Sequence, residues 1–203
     1  MVYSTTLKRL IRAIKTKDDM IHILSKYGRS KREFKLGKLI NVYDKFQSNY
    51  TYTLDARFGK QFDPEFKPSF TPKQMLKQGV FEGKYMNDCL LEFPKDWFLD
   101  SLDKLSPEEP NPDLNRFKVK SRMSISEWIK KGWILGDDPR GWFQWYCRYY
   151  IGRREPEIDR IQINRWKRYV RHYQQIKKNC KNKGMSCRPK QRQSLVQWSW
   201  KPN

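Results

Sequence analysis

A chain of 203 residues with 37% hydrophobic and 15% aromatic side chains can bury a real core, which excludes wholesale disorder and fits one domain, with or without an appendage. Its 43 Lys and Arg against 22 Asp and Glu leave a formal net charge of +21, so part of the folded surface is strongly positive and suits polyanions. No run of about eighteen apolar residues offers a membrane span and no signal-peptide core is present, so an intracellular protein that does not enter a membrane is expected.

At the N-terminus, Leu7, Leu10, Ile11 and Ile14 fall on one helical face beside Lys8, Arg9, Arg12 and Lys15. An amphipathic targeting helix has this look. Thr16 and Asp19, however, form a capping box for a second helix through Ile21, Leu24 and Tyr27, which points to a structural helical hairpin. Gly28 stops it within the basic turn at 26–32. Residues 39–46 and 50–54, rich in β-branched and aromatic side chains, flank Gln47, Ser48 and Asn49 and predict a β-hairpin. Pro64 and Pro68 then break the pattern, which places a boundary near Phe70.

The second unit opens with Thr71, Pro72 and Gln74, a cap, a proline at the first helical position and a glutamine that closes a capping box. Tyr85, Met86, Cys89, Leu90 and Phe93 make a further helical stripe that Pro94 stops. The proline-broken acidic stretch 106–113 is an exposed loop. Ser124 and Glu127 cap a short helix carrying Trp128 and Ile129 that ends at Gly132. The turn 137–141 leads into 142–151, a helix aromatic on nearly every side and therefore central. Gly152 ends it, Pro156 with Glu157 and Asp159 begins a long basic helix, and Pro189 begins a last one carrying Leu195 and Val196. The expected fold is mainly α with a small α+β N-terminal region: a helical and β-hairpin segment at 1–70, and at 71–203 a basic helical core around the aromatic helix.

Residues 160–203 hold thirteen Lys and Arg and no Asp or Glu. On a helical wheel Arg160, Asn164, Lys167, Arg168, Arg171, Gln175 and Lys178 share one face, and Ile158, Ile161, Trp166, Tyr169, Val170, Tyr173 and Ile176 share the other. A helix from Arg160 to Lys178 spans roughly 27 Å, enough to follow several phosphates. The expected function is nucleic-acid binding, DNA or RNA, through Arg148, Arg153, Arg160, Lys167, Arg168, Arg171 and Lys178. Arg153 and Arg154 have an equal alternative, a structural network with Glu155, Glu157 or Asp159.

Two other classes compete. A nucleic-acid-processing enzyme would use the same surface for grip and gather Asp88, Glu92, Asp137 or Asp138 around a metal, although no metal-nuclease signature connects them. A structural protein would set its basic face against an acidic protein partner. With only His22 and His172 the chain is poorly equipped for a nucleophilic triad, and no glycine-rich phosphate loop is present, so no cofactor is expected. Cys147, Cys180, Cys187 and His172 lack the pair spacing of a zinc finger, so no metal is expected and reduced thiols are the default, with pairing of Cys180 and Cys187 across their six-residue loop as the alternative in an oxidising setting. Residues 140–145 resemble the aromatic strand of RNA-recognition motifs. Trp142, Trp145, Tyr146 and Tyr149 nevertheless repeat at helical spacing and read as core, leaving Gln144 and Arg148 outermost.

The stretches 71–76 (TPKQML), 83–89 (GKYMNDC), 137–150 (DDPRGWFQWYCRYY) and 188–193 (RPKQRQ) are similar to a group of uncharacterised hypothetical proteins. The resemblance covers about 71–200 and implies a unit boundary near Phe70. It assigns no functional residue.

Overall fold

Three capping boxes set the helical frame. Thr16, Thr71 and Ser124 each accept from the backbone of the residue three positions on, and Asp19, Gln74 and Glu127 reach back to the cap. In the computed structural model, which describes residues 2–42, 46–47, 49–121, 123–181 and 183–202, these boxes open α2 (Lys17–Tyr27), α3 (Pro72–Gln78) and α5 (Ile125–Lys130). Helix α1 (Val2–Arg12) precedes them and α4 (Lys95–Leu99) lies between α3 and α5. The chain is mainly α-helical, with one small antiparallel sheet near its N-terminus. Among the described residues no helix is long and apolar enough to cross a membrane.

The sheet is the expected hairpin, reduced to β1 (Leu39–Asn41) and β2 (Thr51–Thr53) with Ile40 opposite Tyr52. Val42 N–H donates to the Tyr50 carbonyl and extends the ladder by one step. The remainder of the expected first strand, 43–45, and Ser48 of the turn lie outside the described residues.

Helix α6 (Trp142–Ile151) occupies the centre, because its side chains are buried around its whole circumference, Trp145 and Ile151 completely. Phe66, from the segment before α3, enters among these rings. Its centroid lies 5.5 Å from Trp145, 5.4 Å from Tyr146 and 5.6 Å from Tyr149, all edge-on, the arrangement that ring quadrupoles favour. Gly152 ends α6 at φ +125°, and its carbonyl accepts from the Asp55 and Ala56 amides. A Cβ there would stand 2.2 Å from the Ala56 carbonyl oxygen, so only glycine permits this approach. Residues on both sides of Phe70 thus share one continuous core, and the boundary expected there does not separate two cores.

The stripe expected as a helix over 85–93 takes another form. Met86, Cys89, Leu90 and Phe93 are buried, but the chain runs through turns and one 3₁₀ turn at Leu90–Glu92. Phe81, Glu82 and Gly83 all have positive φ, and the groups around them are claimed from afar. Asn115 Oδ1 accepts from the Glu82 amide at 2.8 Å, and Ser106 N–H donates to the Gly83 carbonyl at 3.0 Å. These loop contacts replace the helical ladder that the periodicity suggested.

The long basic helix is two helices, α7 (Pro156–Lys167) and α8 (Val170–Asn179). Between them Arg168 and Tyr169 keep right-handed helical angles, and His172 N–H bonds the Tyr169 carbonyl three residues back, so the join is a tightened turn. Helix α9 (Pro189–Gln197) folds back on α8, with Ile176, Cys180 and Leu195 forming a second small core.

Candidate nucleic-acid interface

The cations of α7 and α8 sort by what surrounds them. Arg160 on α7, Arg168 in the turn, and Arg171, Lys177 and Lys178 on α8 are exposed and make no ion pair among the described residues. Lys181 and Lys183 follow in the loop to α9, and Lys190 lies on its first turn, all likewise exposed. Arg160, Asn164 and Arg168 step by four residues along α7 and its end, and Arg171, Gln175 and Lys178 by three or four along α8, which stacks each set on one side of its own helix. Lys167 is half-buried and pairs with Glu65, so it serves the surface partly as a tie to the segment before α3.

The expected apolar face is only partly inward. Of its members Trp166 and Ile176 are buried, whereas Ile161 is 41% and Val170 39% exposed, and Ile163, outside the expected face, is buried. Asp159 and Gln162 take the inner positions instead, and Asp159 Oδ1 accepts from Trp145 Nε1 at 2.7 Å.

Arg148 and Arg153, expected among the phosphate contacts, do not lie on this surface. Arg148 is fully buried. Its Nε donates to Glu92 Oε1 at 2.5 Å and its Nη2 to Glu92 Oε2 at 3.0 Å, while Nη1 reaches Asp138 Oδ1 at 3.1 Å and the Asp137 carbonyl at 2.5 Å. Gln47 Oε1 takes a further bond from Nη2 at 2.7 Å, so every nitrogen of the guanidinium is engaged. Arg153 is 2% exposed, donates to Asp138 Oδ2 at 2.5 Å and to Tyr50 Oη at 3.0 Å, and sits 3.4 Å from Glu155. Burial is the largest single influence on Arg148 and works against its charge, but Glu92, Asp138 and Tyr52 together outweigh it, and the pKa ends well above the ordinary arginine value. Of the two readings open for Arg153, the structural network is the one the geometry displays. Gln144, expected at the outside with Arg148, is fully buried, and its Oε1 accepts from the Arg140 amide.

The four carboxylates considered for a metal diverge. Asp88 is held by Arg140 through two bonds, Nε at 3.0 Å and Nη2 at 2.8 Å, while Glu92 and Asp138 face Arg148 and Arg153. Asp137 is exposed and contributes its carbonyl. Among the described residues no group of three or more His, Cys, Asp or Glu side chains is gathered as a metal ion requires.

The cysteines depart from the expected reduced state. Cys180 and Cys187 form a disulfide, their Cα atoms 5.7 Å apart, because the packing of α9 on α8 returns the chain to its starting point. The bridge closes the loop that carries Lys181 and Lys183. Cys89 and Cys147 remain thiols in the main core, remote in packing from the second core, so the Cys and His residues considered for zinc are not assembled.

His172 lies on α8 next to Arg171, and its Nδ1 is 3.0 Å from Gln191 Nε2. Burial, with the Arg171 charge adding to it, lowers its pKa from the usual 6.5. It is therefore neutral at neutral pH and adds no charge to the cationic side.

No family model, curated protein or solved structure matches the chain.

Proposed function

We propose that this protein binds nucleic acid through phosphate contacts made by the exposed cations of α7, α8 and the loop that follows. One observation carries the reading. The carboxylates beside the core are consumed by buried arginines, whereas Arg160, Arg168, Arg171 and Lys178 stand exposed on two successive helices and their joining turn in a stretch with no acidic residue. Unpaired cations at that spacing release phosphate counterions when a polyanion docks, and this release is the main source of non-specific affinity. Arginine's planar fork suits phosphate oxygens, and three of these four residues are arginine.

Replacing Arg160, Arg168 and Arg171 together by Gln tests the assignment. The variant is expected to melt like the parent and to lose most of its affinity for DNA and RNA at low salt. Binding that survives the triple substitution unchanged places the contact elsewhere.

A further inference from the structure

Beside the cationic side, between α5, α6, the α7–α8 turn and α9, lies a cleft of about 230 Å³ walled by rings. Trp198 is the fixed part of the wall, stacked on Trp142 at 4.7 Å and on Tyr169 at 4.2 Å. Trp128 and Trp133 form the rim, and Trp133 is 41% exposed, stacked on no other ring among the described residues and with Lys131 Nζ 5.2 Å from its ring centre. Arg165 joins the two sides. Its Nη1 donates to the Trp133 carbonyl at 2.9 Å, and its guanidinium lies 5.8 Å from the Trp198 ring centre.

Resting on the phosphate-binding reading, we infer that this cleft receives one unstacked base of a single strand, held against the Trp133 indole and the Arg165 guanidinium. Three features support that occupant. Indole and guanidinium planes are the surfaces on which unpaired bases stack. The cleft is smaller than the roughly 300–1,000 Å³ of a site for a drug-sized ligand, which suits a single ring system. Arg165 is one helical turn from Arg168, and Tyr169 follows Arg168 directly, so the phosphates of an inserted nucleotide would meet exposed positive charge at the mouth.

The same lining argues against sequence readout. Gln197 Oε1 already accepts from the Phe81 amide, Ser121 Oγ and Gln193 Nε2, and its Nε2 donates to the Ser121 carbonyl. The Gln197 and Ser121 side chains in the wall are thus committed to the protein, and stacking, which every base offers, carries the recognition.

The test compares a short oligothymidylate with an abasic strand of equal length, for the parent and for Trp133→Ala and Trp133→Phe. The intact strand is expected to bind the parent between about fivefold and about 150-fold more tightly than the abasic one, the range for stacking one base on an aromatic side chain. Trp133→Ala should abolish that ratio while leaving abasic affinity unchanged, and Trp133→Phe should restore most of it. Equal binding of both strands by the parent, or a ratio untouched by Trp133→Ala, overturns the base site and leaves the phosphate reading standing. Failure to bind either strand at low salt overturns the phosphate reading and the base site with it.

Discussion

Arg148 and Glu92 meet through two hydrogen bonds with both side chains sealed from solvent, although 56 positions separate them in the chain. A buried pair of this kind adds little net stability over a well-packed apolar pair, yet removing one partner strands a charge and costs about 3–5 kcal/mol. Arg148→Met leaves Glu92 short of its counter-charge and Asp138 with Arg153 alone. The variant is expected to lose about 3–5 kcal/mol in urea unfolding, with nucleic-acid affinity unchanged where it remains folded. A variant that unfolds like the parent but no longer binds would return Arg148 to the ligand surface.

Trp145 is the centre of the aromatic packing, in ring contact with Phe66, Trp142 and Tyr149 and hydrogen-bonded to Asp159. Trp145→Ala should cost about 3–5 kcal/mol, as large aromatic truncations in packed interiors do. Thermal melting with a superimposable transition would show the ring to be dispensable and the core misassigned.

The Cys180–Cys187 bridge sets a thiol count. Denatured without reductant, the protein should present two titratable thiols, Cys89 and Cys147, and four after reduction. Because the bridge closes a short loop, Cys180→Ser with Cys187→Ser should lower stability by about 2 kcal/mol. Four thiols before reduction would remove the bridge from the account.

His172 fixes a pH dependence. Its folded pKa lies below the usual 6.5, so as pH falls the unfolded chain takes up the proton first. Stability attributable to this imidazole is complete above 6.5 and declines as pH drops from there through the lowered folded value. His172→Gln should flatten that part of the stability profile. NMR titration placing the imidazole pKa above 6.5 would reverse the sign.

Sequence revealed most where the determining contacts are local. Thr16, Thr71 and Ser124 cap helices through residues three positions away, and Trp142, Trp145 and Tyr149 announce a buried helix by their own spacing. Where distant groups decide, the reading failed. Tyr85 to Phe93 carries a helical period, yet Asn115 and Ser106 draw the neighbouring backbone into turns. Arg148 and Arg153 looked like surface cations because nothing nearby in the chain shows that Glu92 and Asp138 fold against them. Arg160, Arg168 and Arg171 were legible as exposed, since no acidic residue follows Asp159 in the chain. Trp133 and Trp198 carry only a faint signal in the sequence: tryptophans outside the periodic core helix that packing alone brings to one cleft.

The most direct measurement is the salt dependence of binding to duplex DNA for the parent and for the Arg160, Arg168 and Arg171 to Gln variant. If each arginine neutralises one phosphate, the slope of log affinity against log salt should fall by about 0.9 per residue removed. The account predicts a variant slope shallower by about 2 to 3, with the melting transition preserved. An unchanged slope, or a parent protein that does not bind at low salt, would contradict it.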